Sequence, residues 1–310
     1  MDALLDLLRS ILAQPTAPFH EDAVRAEILM QLAQLPHVAA DQDAFGNVIA
    51  CYRGCASTVR YAFAAHMDHP GFVGDEFLGG VPEEWRANGR TRDFGAFAMW
   101  DLPAFELKDG RVYSRACDDL VGCATILALF QRLERIGAET TVYGLFTRAE
   151  EVGFVGAIHL AKSGRLPRDV TIVSLETSSE KGGLARMGEG VVVRVGDRTS
   201  IFDDAATAAL AKVAADAHIP HQRKLMSGGT CEATAYQLYG YRTAALCVAL
   251  GNYHNCGTDH QIASEYVSVD DVAGMVQLMT RVATEDVPAD PHAALREKLE
   301  TRAADYARYF

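Results

Sequence analysis

Three apolar runs in this chain lead directly into groups that can hold a metal ion. Residues 60–65 lead into His66, residues 141–147 into the adjacent pair Glu150-Glu151, and residues 170–175 into Glu176. Unbroken apolar runs of this length, rich in β-branched and aromatic residues, read as strands buried on both faces. Uncompensated carboxylates are costly to bury, so an acid at the end of such a strand needs a partner there. Helical patterns with apolar spacing of three and four fall between these runs, over 120–135, 152–163, 203–217 and 269–284. That alternation predicts an α/β fold with a largely parallel sheet covered on both faces. Functional groups gathered at strand C-termini follow the general rule for such sheets.

Two further helices are expected at 3–12 and 21–35 and another after Gly228-Gly229, with strands at 46–51 and 243–249. From Gly71 to about Gly110 the chain is rich in Gly, Pro and aromatics and has no helical period. Gly79-Gly80-Val81-Pro82 and Lys108-Asp109-Gly110-Arg111 are turn signals between short strand candidates. The expected organisation is therefore a catalytic domain made of 1–72 and 113–310, interrupted by a β-rich subdomain over 73–112. A charged helical tail occupies about 289–310.

At 310 residues and 49% apolar, the chain can bury one large domain carrying a small insert. A net charge of -12 argues against nucleic acid and anionic membrane surfaces as partners. No apolar stretch approaches bilayer-spanning length. The start, Met1-Asp-Ala-Leu-Leu-Asp-Leu-Leu-Arg, reads as an amphipathic helix and not as a secretory signal. A cytoplasmic location follows as the expectation, with the seven cysteines as reduced thiols. None is spaced as CxxC, so neither a disulfide framework nor a thiolate zinc site is indicated.

Each candidate residue has a bland reading alone. His66 and Asp68 lie two apart at a strand end, which suits a ligating imidazole oriented by a carboxylate, or simply a surface pair. Asp118-Asp119 opens a helix, so it can be an N-cap or, for Asp118, a bridge between two cations. Glu150 and Glu151 diverge as neighbours. One can bind metal while the other reaches a water, or both can sit in an exposed first helical turn. His254, in Gly251-Asn-Tyr-His-Asn-Cys-Gly, follows a strand, and His260 is its rival as the last ligand. His69 can touch substrate, and Cys117, Cys231 and Cys256 can lie nearby. Taken jointly, His66, Asp118, the glutamate pair, Glu176 and His254 are the parts of a two-metal hydrolase.

The ordered segments Ala65-His66-Met67-Asp68-His69-Pro70-Gly71-Phe72, Ala116-Cys117-Asp118-Asp119-Leu120-Val121-Gly122-Cys123, Glu150-Glu151-Val152-Gly153-Phe154-Val155-Gly156-Ala157 and Ser227-Gly228-Gly229-Thr230 resemble the glutamyl/deblocking aminopeptidases, the tetrahedral aminopeptidase family. Phe45-Gly46-Asn47-Val48-Ile49 fits as well, and the likeness covers about residues 1–285. It implies a phosphorylase/hydrolase-like α/β/α sandwich with an inserted β-rich subdomain, a homo-oligomer, and peptide as substrate. It implies two divalent metal ions per subunit, with zinc first and cobalt or manganese fitting the same ligands. One ion would be held by His66, Asp118 and Glu176, the other by Asp118, Glu151 and His254. Glu150 would activate the metal-bridging water as general base, and Asp68 would orient His66. Three positions depart from the pattern: the insert is shorter than usual, Glu176 stands where Asp is commoner, and Cys231 stands where the family has Asp.

The same constellation also serves related amidohydrolases, the N-acyl amino acid deacylases and carboxypeptidases. Those place their insert after the glutamate pair, whereas here it comes before, which favours an aminopeptidase. A catalytically silent peptide-binding scaffold would lack the base or a ligand, and all are present. A glycan hydrolase needs two carboxylates facing each other across a sugar, which adjacent glutamates do not provide. Arg148, Arg186 and Arg223 would favour acidic substrates only if they faced the pocket.

Overall fold

A computed structural model describes residues 1–54, 59–285 and 290–309. Two helices, α1 (Asp2–Leu12) and α2 (Asp22–Leu32), precede the strands β1 (Val38–Gln42), β2 (Val48–Arg53) and β3 (Tyr61–His66). The short strands β4 (Gly71–Val73) and β5 (Glu76–Leu78), the helical turn α3 (Glu83–Arg86), β6 (Thr91–Asp93) and β7 (Phe97–Trp100) come next. The hairpin β8 (Glu106–Lys108) and β9 (Arg111–Ser114) leads to the long helix α4 (Leu120–Ile136). Then follow β10 (Thr141–Thr147), α5 (Val155–Lys162), β11 (Thr171–Ser179), β12 (Val191–Asp197), α6 (Asp204–Asp216) and β13 (His221–Met226). The chain continues through α7 (Glu232–Leu238), β14 (Arg242–Gly251), β15 (Glu265–Ser268), α8 (Val269–Thr284) and α9 (Ala293–Asp305).

An 11-stranded sheet runs in the order β1-β2-β10-β3-β11-β14-β15-β9-β8, with β12 and β13 branching from β14. Its four central strands, β10-β3-β11-β14, are parallel. Side chains alternate across them. Phe63, Ala65, Val142, Phe146, Val173 and Leu175 pack with α1, α4 and α8 on one face. Ala62, Ala64, Leu145 and Ile172 pack with Ala157 and Leu160 of α5 and Ala235 and Tyr236 of α7 on the other. This is a three-layer α/β/α sandwich, and double-sided burial explains the unbroken apolar runs. The ends of α4 are set locally: the Asp119 carboxylate accepts from the Gly122 amide, and Gly137 closes the helix at φ 58°.

The structure corrects the sequence reading in several places. The sheet is mixed, because β1-β2, β2-β10, β12-β14, β14-β15, β15-β9 and β9-β8 all pair antiparallel. Strands joined by short loops, such as β8 and β9, cannot return parallel without a longer crossover. Strands β12 and β13 were absent from the expectation. Val191-Val-Val carries a β-branched signal, while polar His221-Gln-Arg-Lys carries none. The stretch 73–112 divides between two sheets. Strands β4 to β7 form a separate four-stranded sheet, whereas β8 and β9 join the large one through β15. Buried Val112 opposite Val267 accounts for that choice. Helix α5 starts at Val155 and not at Val152, because Ala149 and Phe154 both take positive φ and the segment between them is a turn. Glu176 lies within β11 and not at its end. No helix among the described residues is long and apolar enough to cross a membrane.

Candidate metal centre

The sheet gathers the candidate side chains at the C-terminal end of its parallel core. His66 ends β3, Asp118 follows β9, Glu150 and Glu151 follow β10, Glu176 sits in β11, and His254 follows β14. His66, Asp118, Glu176 and His254 are buried, and Glu150 is 9% exposed. Three groupings of ligand atoms lie within 4.8 Å of one another: His66 with Asp118 and Glu176, Asp118 with Glu151 and His254, and His66 with Glu150 and Glu151. The rival histidine, His260, is exposed and packs its ring 4.4 Å from that of Trp85.

The geometry around Asp118 separates the groupings. His66 uses Nδ1 on the Asp68 carbonyl at 3.0 Å, leaving Nε2 at 3.7 Å from Asp118 Oδ1. His254 places Nε2 at 3.5 Å from Asp118 Oδ2 and 3.2 Å from Glu151 Oε1, while its Nδ1 faces the Gly80 carbonyl at 3.3 Å. Each oxygen of one carboxylate therefore faces a different imidazole. Asp118 Oδ1 and Glu151 Oε1 are buried and have no hydrogen-bond partner. Buried carboxylate oxygens are expensive to leave unpaired. A donor set of imidazole nitrogens and carboxylate oxygens suits zinc and related divalent ions. These residues thus fit two cations sharing Asp118.

The electrostatics agree. Burial, reinforced by Glu176, Glu151 and Glu232, pushes the Glu150 carboxyl well above its ordinary value. Burial pushes Glu176 up to about 7 against the opposing charge of Arg194. Burial alone would lower His66, but Glu150, Asp118 and Asp68 push it up, and Glu151 and Asp118 do the same for His254. So many carboxylates in one buried site call for positive charge.

Asp68 faces both His66 and the glutamate turn. Its carboxylate accepts from the Glu150 amide at 2.9 Å and the Glu151 amide at 3.1 Å, and it stands 3.6 Å from His66 Nδ1. It anchors the glutamate turn, while its backbone carbonyl orients His66. Glu21 anchors the same turn from the other side, accepting from Ala149 N at 3.1 Å and Arg148 Nε at 2.6 Å. Replacing Asp68 by Ala strands two buried amides and frees the turn. We expect about a 10- to 100-fold loss of metal affinity, measured by calorimetric titration, with an unchanged circular dichroism spectrum.

His69 is sequestered rather than turned to a substrate: Nδ1 meets the Asp118 carbonyl at 2.7 Å and Nε2 meets Asn255 Oδ1 at 3.0 Å. Burial pushes the thiols of Cys117 and Cys231 well above their ordinary value and makes them poor nucleophiles. A cleft of about 660 Å³ opens onto the cluster. Arg148, Arg186 and Arg223 do not line it; they pair with Glu21, Glu189 and Asp204. Lys181, Arg194 and Arg198 do. Arg194 is 3% exposed and its Nε has no hydrogen-bond partner. The sequence signal for it was a lone cation inside Val191-Val-Val-Arg-Val.

A family model for M42 glutamyl aminopeptidases matches residues 87–278, more than half of the 310. The chain belongs to the M42 family. The M42 match takes in Asp118, Glu150, Glu151, Glu176 and His254 and begins after His66 and Asp68. The M42 fold is also seen in solved structures. The TET1 peptidase of Pyrococcus horikoshii, which can assemble into a tetrahedron or a large octahedral shell, superposes with a TM-score of 0.76 at 22% identity, covering 91% of this chain and 100% of that one. An aminopeptidase from Desulfurococcus kamchatkensis gives 0.77 at 21% identity over 93% of this chain and 96% of that one. A curated relative from Acetivibrio thermocellus, described as a "Putative aminopeptidase", is 26% identical over 179 residues, 56% of this chain. The chain spans about half the length of that relative, 51%.

Proposed function

We propose that the protein is a metallo-aminopeptidase that removes N-terminal residues from peptides and uses two divalent cations, zinc in the first instance. The observation that carries this reading is the arrangement at Asp118. Its two oxygens face His66 and His254 separately, Glu176 and Glu151 complete the two groups, and Glu150 is left over on the cleft wall. The cations, when bound, polarise the scissile carbonyl and acidify water. Glu150 takes the proton from the attacking water and delivers it to the leaving amine as the peptide bond breaks. Asp68 holds the Glu150 backbone so that this carboxylate faces the reacting atoms. Lys181, Arg194 and Arg198 along the cleft favour an acidic side chain on the residue removed. Exposed apolar residues on α9, Leu295 and Leu299, and the assembly of the P. horikoshii relative support a homo-oligomer.

The test is incubation of metal-supplemented protein with a mixed peptide library, followed by mass spectrometry with and without chelator. Trimming one residue at a time from free N-termini, stopped by chelator, is the expected result, with Glu and Asp among the preferred residues. Release of acyl groups or C-terminal residues would assign the protein to the related amidohydrolases instead. No turnover with both ions bound would leave a peptide-binding scaffold.

A further inference from the structure

We infer that Glu265, a residue outside every metal-ligating group, is the positioning residue that sets the spacing between Asp118 and His254 and so builds the second cation site. The inference rests on the two-cation reading above.

Strand β15 lies between β14 and β9 in the large sheet. Its register places Glu265 opposite Ser114, the last residue of β9, and one step beyond the Gly251–Tyr266 pair that ends β14. The two strands it separates run into the two loops that carry Asp118 and His254. Glu265 is completely buried, and its carboxylate spans both loops. Oε2 accepts from the amides of Cys117 at 2.7 Å and Asp118 at 3.1 Å. Oε1 accepts from the amide of His254 at 2.7 Å. One rigid planar group thus fixes two ligand backbones relative to each other.

The loop around His254 needs such a hold. Asn252, His254 and Asn255 all adopt positive φ, at 54°, 53° and 61°. Non-glycine residues take that conformation at a cost, and it persists where the surroundings over-determine it. His69 adds a second tie between the same loops, from the Asp118 carbonyl to the Asn255 side chain. The Asp118 backbone is therefore gripped at both its N–H and its C=O, and Glu265 holds the His254 N–H as well.

The chemistry of an amide makes the idea testable. A carboxylate accepts at both oxygens, whereas a glutamine accepts at one and donates at the other. In Glu265→Gln the single oxygen serves better where two amides converge, at Cys117 and Asp118. The NH2 group then meets the His254 N–H, donor against donor, and the His254 loop is released. The group of His66, Asp118 and Glu176 keeps its geometry.

The experiment is a calorimetric titration of metal-free full-length protein with Co²⁺, followed in parallel by visible absorption, with His254→Ala as the reference for loss of the second site. Wild type should take up two ions. Glu265→Gln should take up one with wild-type affinity and the other about 10- to 100-fold more weakly, with the absorption spectrum of its tight site matching that of His254→Ala. Glu265→Asp keeps both acceptor oxygens on a shorter arm that cannot reach both loops. It should show the same selective loss and decides the matter if the Gln variant does not fold. Two ions bound with unchanged affinity in the variants would overturn the inference, as would equal weakening of both. Fewer than two ions in the wild type would instead sink the two-cation reading, and the inference with it.

Discussion

Glu150→Gln is expected to lower kcat by roughly 10²–10⁴-fold, with KM, fold and metal content unchanged. The expectation turns on which role Glu150 plays, because its carboxylate is close enough to His66 and Glu151 to ligate an ion with them. His66 has only one nitrogen free, since Nδ1 is committed to the Asp68 carbonyl. That nitrogen stands beside Asp118, which it shares with His254 through the other oxygen. Four further ligands then complete two groups around Asp118 and leave Glu150 unused. Its carboxyl is raised by burial and by Glu176, Glu151 and Glu232, as suits a proton acceptor. A base must be deprotonated to act, so kcat/KM should fall as pH drops through the pKa Glu150 has with the cations bound, and the Gln variant should lack this acid limb. Metal analysis decides the roles. Two ions per chain in the variant confirms a base, whereas loss of one ion would make Glu150 a ligand and return the base to an open question.

Much of this site could be read from the sequence because its candidate residues lie in, at the end of, or just after strands. An apolar run leading to a histidine or an acid is visible without coordinates and points to His66, Glu150, Glu151 and Glu176, while Asp118 reads at a helix start and His254 in a loop after a strand. The structure brings all six together. The loops that hold them were less legible. Asp68 is two residues from His66 in the sequence, but its carboxylate accepts from the amides of Glu150 and Glu151, 82 and 83 positions away. Glu265 carries no motif. Its role exists only because the strand register sets it between two loops that the sequence separates by more than a hundred residues. The same limit explains the sheet. Local pattern gave the central strands, but the direction of pairing depends on connections, and the hairpin at Asp109-Gly110 went to the large sheet through contacts with β15. The cleft cations show the limit in another way. Arg148, Arg186 and Arg223 are arginines like Arg194, yet of the four Arg194 is the one that lines the cleft.

Asp118→Ala should abolish binding of both ions and make the protein insensitive to added metal, an effect larger than removal of any other single ligand. Without the shared carboxylate, one group retains His66 and Glu176 and the other Glu151 and His254. Two protein ligands fall short of the three that catalytic sites of this type keep. The wild type should show the complementary behaviour on metal removal, with a pH dependence of fixed sign. In the metal-free protein Glu176 is raised from 4.5 to about 7, so between those values the folded state holds a proton that the unfolded state has lost. Stability then falls as pH rises across that window. His66 and His254 are raised above 6.5. The stability they contribute is complete below that value and is lost as pH rises through their folded pKa values, in the same direction. Asp118 is lowered, and its opposite contribution is lost only as pH falls below the ordinary 3.8. The ions replace the bound protons, so their stabilising effect grows with pH. Melting temperatures of chelated and metal-loaded wild type should therefore diverge as pH rises from 4.5 to about 7 and beyond. Those of Asp118→Ala should coincide at every pH with and without metal. Parallel wild-type curves would show that the buried carboxylates do not await a cation, and metal-raised melting in Asp118→Ala would show that Asp118 is not the shared ligand.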